Sequence, residues 1–196
     1  TGVISTFSSS AALGTAEATK VSMTIGAMEG AVESDASSLA TAIATGIDSG
    51  DDADEIDTHS DVVVRARSVS TTTSNAEDVN ILSLGSAIQS AAANSSSTAE
   101  AIARGIDGGT GRDTINVGGN YEVSSTTKVS STSRSSTVTG FSGGENKQKA
   151  QALAGTTSQA LAIGIDGGEG NDIINSTAIL AVNTFSNAST SGVSAS

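Results

Sequence analysis

The amino-acid sequence predicts an all-β protein, a parallel β-solenoid of the β-helix or β-roll type with loops rich in glycine and aspartate. Three observations lead to this fold class: a 59-residue internal repeat, an alternation of small and large side chains, and a composition with 2% aromatic residues and no Pro. Repeats at one fixed spacing are typical of solenoids, in which each unit stacks on its neighbours. An antiparallel β-sandwich of long strands is the alternative.

The composition indicates a thin interior. Hydrophobic residues make up 36% of the chain and are largely Ala, Ile and Val, which suit the space between closely stacked backbones better than a bulky globular core. The Ala-rich stretch from Ser86 to Ala99 could instead form an amphipathic helix. Abundant Ser, Thr and Val and the interrupting glycines favour strands, and the absence of Pro leaves every backbone N–H available for a ladder.

Three related loops define the repeat. The segments "GIDSGDDADEI", "GIDGGTGRDTI" and "GIDGGEGNDII" begin at the evenly spaced Gly46, Gly105 and Gly164 and align without a gap. The sequence therefore predicts one repetitive β domain over residues 1–196. Its loops are residues 46–57, 105–116 and 164–175.

A second set of glycines sets the possible length of a rung. Gly26, Gly85 and Gly144 recur at the same interval, and each lies twenty positions ahead of a "GID" triplet. These spacings fit either three rungs of about twenty residues per repeat or one long rung per repeat. The chain is expected to start and end within a repeat, because "VISTFSSS" near its start resembles "AVNTFSNAS" near its end.

Strands are predicted on both sides of each loop. Upstream of the loops, alanines in register alternate with larger residues, namely Ile43, Ile102 and Leu161. Downstream, apolar residues of one parity recur in register, namely Ile56, Val62 and Val64, then Ile115, Tyr121 and Val123, then Ile174, Leu180 and Val182. A period of two places such residues on one face of a strand.

The charge balance excludes some partners and favours others. The formal net charge is −12, which repels nucleic acid and anionic membrane surfaces and suits a chain that collects divalent cations. There is no Cys, so disulfides and thiolate metal sites are excluded. No apolar run reaches membrane-spanning length, and we expect no membrane insertion.

The loops have the chemistry of a site for a hard cation. Glycines allow positive φ, so the backbone can curl and turn its carbonyl oxygens inward, and Asp supplies a charged oxygen. Calcium takes six to eight oxygen ligands in a flexible cage, whereas magnesium requires a stricter octahedron. Zinc and iron lack suitable ligands, since His59 is the only His.

The segments "GGTGRDTIN" and "GGEGNDIIN" resemble the nonapeptide G-G-x-G-x-D-x-U-x of the repeats-in-toxin calcium-binding family, in which U is a large apolar residue. The resemblance implies Ca²⁺ held by loop residues between parallel rungs. The implied calcium aspartates are Asp113 and Asp172. The implied turn glycines are Gly108, Gly109, Gly111, Gly167, Gly168 and Gly170. Ile115 and Ile174 are the implied core residues.

The first copy departs from this pattern, and each repeat carries one nonapeptide where the family has several in tandem. Ser49 and Asp52 replace two glycines, while Gly50, Asp54 and Ile56 match. With one loop per repeat, a site would be completed by other rungs or by the Asp of the preceding triplet. The predicted metal-site residues are accordingly Asp172, Asp113, Asp54, Asp166, Asp107, Asp48, Gly168, Gly170, Gly109, Gly111 and Gly50.

Enzyme functions are not favoured. No loop has the Lys of a phosphate-binding loop, and no G-x-S-x-G motif marks a nucleophilic Ser beside His59 and Asp57. Acidic pairs in "DDADE" could indicate glycoside hydrolysis, but aromatic residues to hold a sugar are scarce. We therefore expect that the chain is not an enzyme and has no catalytic residues.

The predicted function is that of an extracellular, calcium-binding structural protein. The chain would be a repeat segment or subunit of a surface fibre, sheath, surface layer or adhesin. It is expected to self-associate end to end into a homopolymer or longer repeat array, because its terminal rungs expose unpaired backbone. One alternative is a calcium-dependent folding and secretion module of a repeats-in-toxin enzyme or toxin. Another is a surface that binds a ligand, including ice, through Thr-rich strands such as "STTTS".

Overall fold

The computed structural model describes residues 2–196, which form twelve strands joined by short turns and loops. The long strands are β1 (Val3–Thr24), β2 (Met28–Asp48), β4 (Asp61–Ser83), β5 (Ala87–Asp107), β8 (Asn120–Thr139), β9 (Asn146–Asp166) and β12 (Ile179–Ala195). The short strands are β3 (Glu55–Thr58), β6 (Thr110–Gly111), β7 (Thr114–Val117), β10 (Glu169–Gly170) and β11 (Ile173–Ser176).

Each repeat forms one long rung of a parallel β-solenoid. Sheet A has the strand order β1-β4-β8-β12, and sheet B has the order β2-β5-β9. All strand pairs are parallel, and Ile43 lies beside Ile102, which lies beside Leu161. The predicted solenoid is confirmed, the antiparallel sandwich is wrong, and of the two rung lengths the single long rung is correct.

The second set of glycines lies where the chain reverses between the two sheets. Gly26 and Gly85 lie in the turns 25–27 and 84–86, and Gly144 lies in the longer turn 140–145. The register of β1 on β4 shifts between Ser22 and Met23. Because of this bulge, most of β1 pairs with β4 one residue out of step with the pairing of the later rungs.

Small side chains fill the space between the sheets. Ala42, Ala44 and their equivalents point inward, whereas Ile43 and Ile102 point outward. A Cβ atom built on Gly14 would lie 2.5 Å from the carbonyl oxygen of Ser37. The sheets are thus too close for large residues over most of their length, and Ala and Ser are selected for size.

Inward hydroxyl groups join the two sheets. Ser68 donates to the carbonyl of Ala40 at 2.7 Å, and Ser125 donates to Ala101 at 2.6 Å. The Oγ atoms of Ser70 and Ser97, on opposite sheets, lie 2.7 Å apart and form a hydrogen bond. Each such bond contributes on the order of 1 kcal/mol and satisfies a group that would otherwise be buried without a partner.

The interior widens next to the loops, where large apolar residues pack together. The fully buried members of this cluster include Val62, Val64, Ile106, Ile115, Tyr121 and Val123. All of these except Ile106 are residues whose common parity predicted one strand face. The stretch from Ser86 to Ala99, for which a helix was the alternative, lies mostly in β5.

The last strand lacks a neighbour on its outer edge. Leu180 and Val182 continue the inward column of Val62 and Val64, yet they are 46% and 41% exposed. Both side chains are apolar because they occupy the repeat positions that are buried in the earlier rungs, and no further rung covers them among residues 2–196.

Candidate functional site

The three loops stack directly on one another along one edge of the solenoid. Asp48 lies beside Asp107, and Asp107 lies beside Asp166. Within the loops β6 pairs with β10, and just after them β3, β7 and β11 pair. Because neighbouring strands are about 4.8 Å apart, each loop residue faces its equivalent in the next rung. We call residues 46–57, 105–116 and 164–175 the acidic edge.

The aspartates of the "GID" triplets begin each loop with the same turn. In every rung the carboxylate Oδ1 accepts a hydrogen bond from the backbone N–H two residues later, from Gly50 to Asp48 at 3.1 Å, from Gly109 to Asp107 at 3.3 Å and from Gly168 to Asp166 at 3.1 Å. Such an Asx-turn fixes the local backbone. In the middle rung Asp107 Oδ2 also pairs with Arg104 Nη1 at 3.2 Å.

The aspartates of the nonapeptide-like segments link successive rungs. Asp113 Oδ1 accepts a hydrogen bond from the Asp54 N–H at 2.8 Å, and Asp172 Oδ1 accepts one from the Asp113 N–H at 3.0 Å. Asp113 is fully buried, and Oδ2 of Asp113 and of Asp54 has no hydrogen-bond partner among the described residues. A buried carboxylate oxygen without a partner is costly, and a cation beside it would relieve that cost.

Glycines allow the loops to approach this closely. Gly109 and Gly168 have φ values of 78° and 82°. A Cβ atom built on them would lie 1.7 Å and 1.8 Å from the carbonyl oxygens of Gly50 and Gly109. These two oxygens accept hydrogen bonds from the backbone of Thr110 and Glu169 at 3.0 Å and 2.8 Å. Each therefore retains one lone pair for another partner.

The first loop keeps its shape despite its different sequence. Asp52 stands where the later loops have Gly111 and Gly170, and all three residues have positive φ. Asp tolerates this region better than most residues. Ser49 replaces Gly108 and donates a hydrogen bond to the Gly108 carbonyl at 2.6 Å. The departures from the nonapeptide are thus compatible with the same stack.

The acidic edge carries most of the net charge of the chain. It holds eleven of the 21 acidic residues and one of the nine basic residues, Arg112, which gives −10 of the total −12. Stacking places like charges opposite one another, as in the column of Asp48, Asp107 and Asp166. Two unit charges about 5 Å apart repel by roughly 1 kcal/mol in bulk water and roughly 3 kcal/mol near a protein surface. Directly opposed like charges destabilise a sheet.

The donor set fits a hard cation through one carboxylate per rung and the backbone. Within residues 2–196 no three Asp, Glu, His or Cys side chains converge on one point. A Cβ atom built on Gly108 or Gly167 would lie 3.2 Å or 3.0 Å from Oδ2 of Asp113 or Asp172. The first glycine of each nonapeptide therefore lies against its aspartate. Carboxylate and backbone carbonyl oxygens are the ligands that calcium takes.

The apolar residues that follow the loops point inward. Ile115 is fully buried, and Ile56 packs partly buried against the same cluster. Ile174 has the same orientation but is 46% exposed, since β11 lies at the end of its sheet. The predicted core position is confirmed for Ile115.

His59 lies on the surface beside the first loop. Its side chain is 82% exposed, and its Nδ1 atom lies 3.3 Å from Asp57 Oδ1. A pair this open to water has the character of a solvated surface contact.

Sequence reasoning overlooked a polar cluster at the opposite edge, near the turns between the sheets. Asp78, Asn80 and Gln89 are fully buried and carry side-chain atoms without hydrogen-bond partners among the described residues. Lys20 lies near Asp78, because a Cβ built on Gly30 would lie 2.2 Å from Lys20 Nζ and 3.1 Å from Asp78 Oδ2. The signal was present, since Asp78 and Asn80 share the parity of the buried Val62 and Val64.

No protein-family model matches the chain, and neither does any curated protein or solved structure compared with it. Among residues 2–196 there is no apolar helix of the length that crossing a bilayer requires. The acidic edge and the open terminal strands are the features of the molecule that bear on its function.

Proposed function

We propose that this chain is a segment or subunit of an extracellular structural assembly, such as a surface fibre, sheath, surface layer or adhesin, in which calcium stabilises the folded state. The observation that carries the proposal is the acidic edge, where a net charge of −10 is stacked in three rungs around the buried Asp113. The resemblance of the loops to repeats-in-toxin nonapeptides points to the same ion.

The proposed mechanism is thermodynamic linkage. In the unfolded chain the carboxylates of the acidic edge are far apart, whereas folding brings them together in columns. A cation that binds only the folded chain stabilises it by RT ln(1 + [Ca]/Kd), which amounts to about 2.7 kcal/mol at a concentration one hundred times Kd. Because calcium is scarce inside cells and abundant outside, folding would be favoured after export.

The terminal rungs support a structural role. The outer edge of β12 has unpaired backbone groups, and the inward side chains of Leu180 and Val182 are partly exposed. An open edge with an apolar inner face can take another rung in the same parallel register. We propose end-to-end association on this basis, with no part for nucleic acid or for insertion into a membrane.

The proposal is tested by thermal unfolding, followed by circular dichroism, in EGTA and then in millimolar calcium. We expect calcium to raise the melting temperature, and Asp113→Asn and Asp172→Asn to remove most of that gain. Asn keeps an oxygen that can accept the backbone hydrogen bond but loses the charge, so it separates calcium binding from the hydrogen bond. Glu77→Gln, on the outer face of sheet A, is the matched control and should keep the full gain.

Screening of the acidic edge by any salt is the competing explanation. Sodium chloride at the same ionic strength and magnesium at the same concentration are therefore measured in parallel. A melting temperature that rises equally in all three would contradict a calcium site, and the solenoid would then be stabilised by packing and hydrogen bonds alone.

A further inference from the structure

We propose that the outer face of sheet B is an interface through which two copies of this chain pair side by side, related by a two-fold axis that runs along the strands. This surface is distinct from the strand edges used in end-to-end association. It is the flat face built by the outward residues of β2, β5 and β9.

The face carries an apolar column that recurs in every rung. Ile43, Ile102 and Leu161 lie side by side across the three strands, and Ile43 and Leu161 are 55% and 38% exposed. Further exposed apolar residues of this face are Leu39, Ile88 and Leu153. A stripe of large aliphatic residues that water can reach, kept at one position of the repeat, is typical of a contact surface.

Charge on this face is divided between its two outer strands. The outward residues of β2 include Glu29, Glu33 and Asp35, and those of β9 include Lys147 and Lys149. The strands lie in register, so Glu29, Ile88 and Lys147 form one column. One margin of the face is therefore acidic and the other basic at the same end of the strands.

A two-fold axis along the strands would bring together both the apolar columns and the oppositely charged margins of two copies. Such a rotation places β2 of one copy over β9 of the other and leaves the position along the strand unchanged. Glu29 then faces Lys147 of the second copy, Ile43 faces Leu161, and Ile102 meets its own equivalent on the axis. Glu29 with Lys147, and the apolar column with itself, are thus matched without any shift, as a closed, self-complementary interface requires. The remaining charges lie within one or two residues of this match, since Lys149 faces Ala31 and Glu33 faces Gln151.

The available area is sufficient for a stable dimer. Three strands of about 21 residues cover roughly 70 Å by 14 Å, which is about 1,000 Å² per copy at the usual spacings. Specific interfaces bury about 800 Å² per partner. Small residues, Ser37, Ser96 and Gly155, lie across the middle of the face and allow the two sheets to approach closely.

Sheet A lacks this division of charge. Its outward acids and bases occur together on the central strands, and Arg65 Nη2 already pairs with Glu122 Oε1 at 2.7 Å between neighbouring rungs. On sheet B, Lys147 Nζ lies 3.1 Å from Glu145 Oε1, but both side chains are largely exposed, and such a pair contributes little. The separation of an acidic from a basic margin is found on sheet B alone. Two features are unfavourable: Asp35 would face Leu153 of the second copy, and Glu100 and Arg104 on β5 would each meet their own equivalents on the axis.

The test is analytical ultracentrifugation of the whole chain in calcium, over a range of concentrations. We expect the wild type to form a closed dimer, and the charge reversals Lys147→Glu/Lys149→Glu and Glu29→Lys/Glu33→Lys to weaken dimerisation at least tenfold each. An equimolar mixture of the two variants should dimerise again, since each acidic margin then faces a basic one. Glu100→Gln should tighten the dimer.

A matched pair of lysine substitutions separates this face from the strand edges. Ile102→Lys, at the centre of sheet B, should abolish the dimer, whereas Val69→Lys, which faces outward from a central strand of sheet A, should leave it unchanged. End-to-end association joins β12 of one copy to β1 of the next, gives an open series of oligomers and does not involve Ile102. A wild type that stays monomeric, a mixture that fails to dimerise, or an open series insensitive to Ile102→Lys would overturn the proposal.

Discussion

Asp78 is fully buried in the interior of the solenoid, near Lys20. Burial raises the pKa of the Asp78 carboxyl, and the Lys20 ammonium opposes this rise only in part. A folded chain with a raised carboxyl pKa holds its proton more tightly than the unfolded chain does. This residue therefore favours folding as the pH falls through its folded pKa, and it costs stability at neutral pH.

We predict that Asp78→Asn stabilises the protein at pH 7. Removal of a buried, poorly paired charge should contribute about 1 kcal/mol or more, which corresponds to a rise of about 2–4 °C in melting temperature for a chain of this size. Melting curves between pH 4 and 8 should also show less acid stabilisation than in the wild type. Glu77→Gln, the exposed neighbour, is the control. A less stable Asp78→Asn at pH 7 would mean that the attraction of Lys20 outweighs burial.

At the scale of strands and loops, the repeat and the parity of the side chains were enough to predict the solenoid. The constant interval between the loops predicted the register of Ile43 on Ile102, and the parity of Ile56, Val62 and Val64 predicted one buried face. The rung length could not be obtained, because a turn at Gly26 and a loop at Gly46 divide the repeat equally well into short or long rungs.

The inward face of the upstream strands also could not be read from the sequence. Large residues usually face a core, yet Ile43 faces solvent and Ala42 faces inward. The reason is the distance between the sheets, which depends on both sheets together and leaves space only for Ala and Ser. In the same way, the stacking of Asp113 under Asp54 was predictable from the repeat, but the backbone hydrogen bond between them was not.

The glycines of the stacked loops allow a matched prediction. Gly50 and Gly109 are equivalent and have φ values of 88° and 78°. A Cβ on Gly50 meets no atom within 4 Å, whereas a Cβ on Gly109 would lie 1.7 Å from the Gly50 carbonyl oxygen. Gly50→Ala should lower the free energy of unfolding by about 1–2 kcal/mol, the cost of a left-handed backbone at a residue with a Cβ. Gly109→Ala should lower it by about 4 kcal/mol or more, because its Cβ would also clash. Urea unfolding of both variants measures the difference. Equal losses of stability in the two variants would show that Gly109 does not lie as close to the Gly50 carbonyl oxygen as the structure indicates.

At the scale of the whole molecule, the functions proposed for the chain use different surfaces. Calcium is assigned to the acidic edge, side-by-side pairing to the outer face of sheet B, and end-to-end association to the outer edges of the terminal rungs. Only the last requires backbone to meet backbone across the contact. It can therefore be blocked by a substitution that the isolated chain tolerates.

We predict that Val182→Lys prevents end-to-end association in calcium. Sheet A has four strands and sheet B has three, so a following copy joins through its β1 on the free edge of β12. Val182 points inward and is 41% exposed in the isolated chain, and the added strand would bury a Lys ammonium at this position without a partner. Sedimentation and electron microscopy measure the association, and Ala181→Lys, whose side chain faces outward, is the control. If the Val182→Lys variant forms rows as long as those of the control, the copies do not join through their terminal rungs.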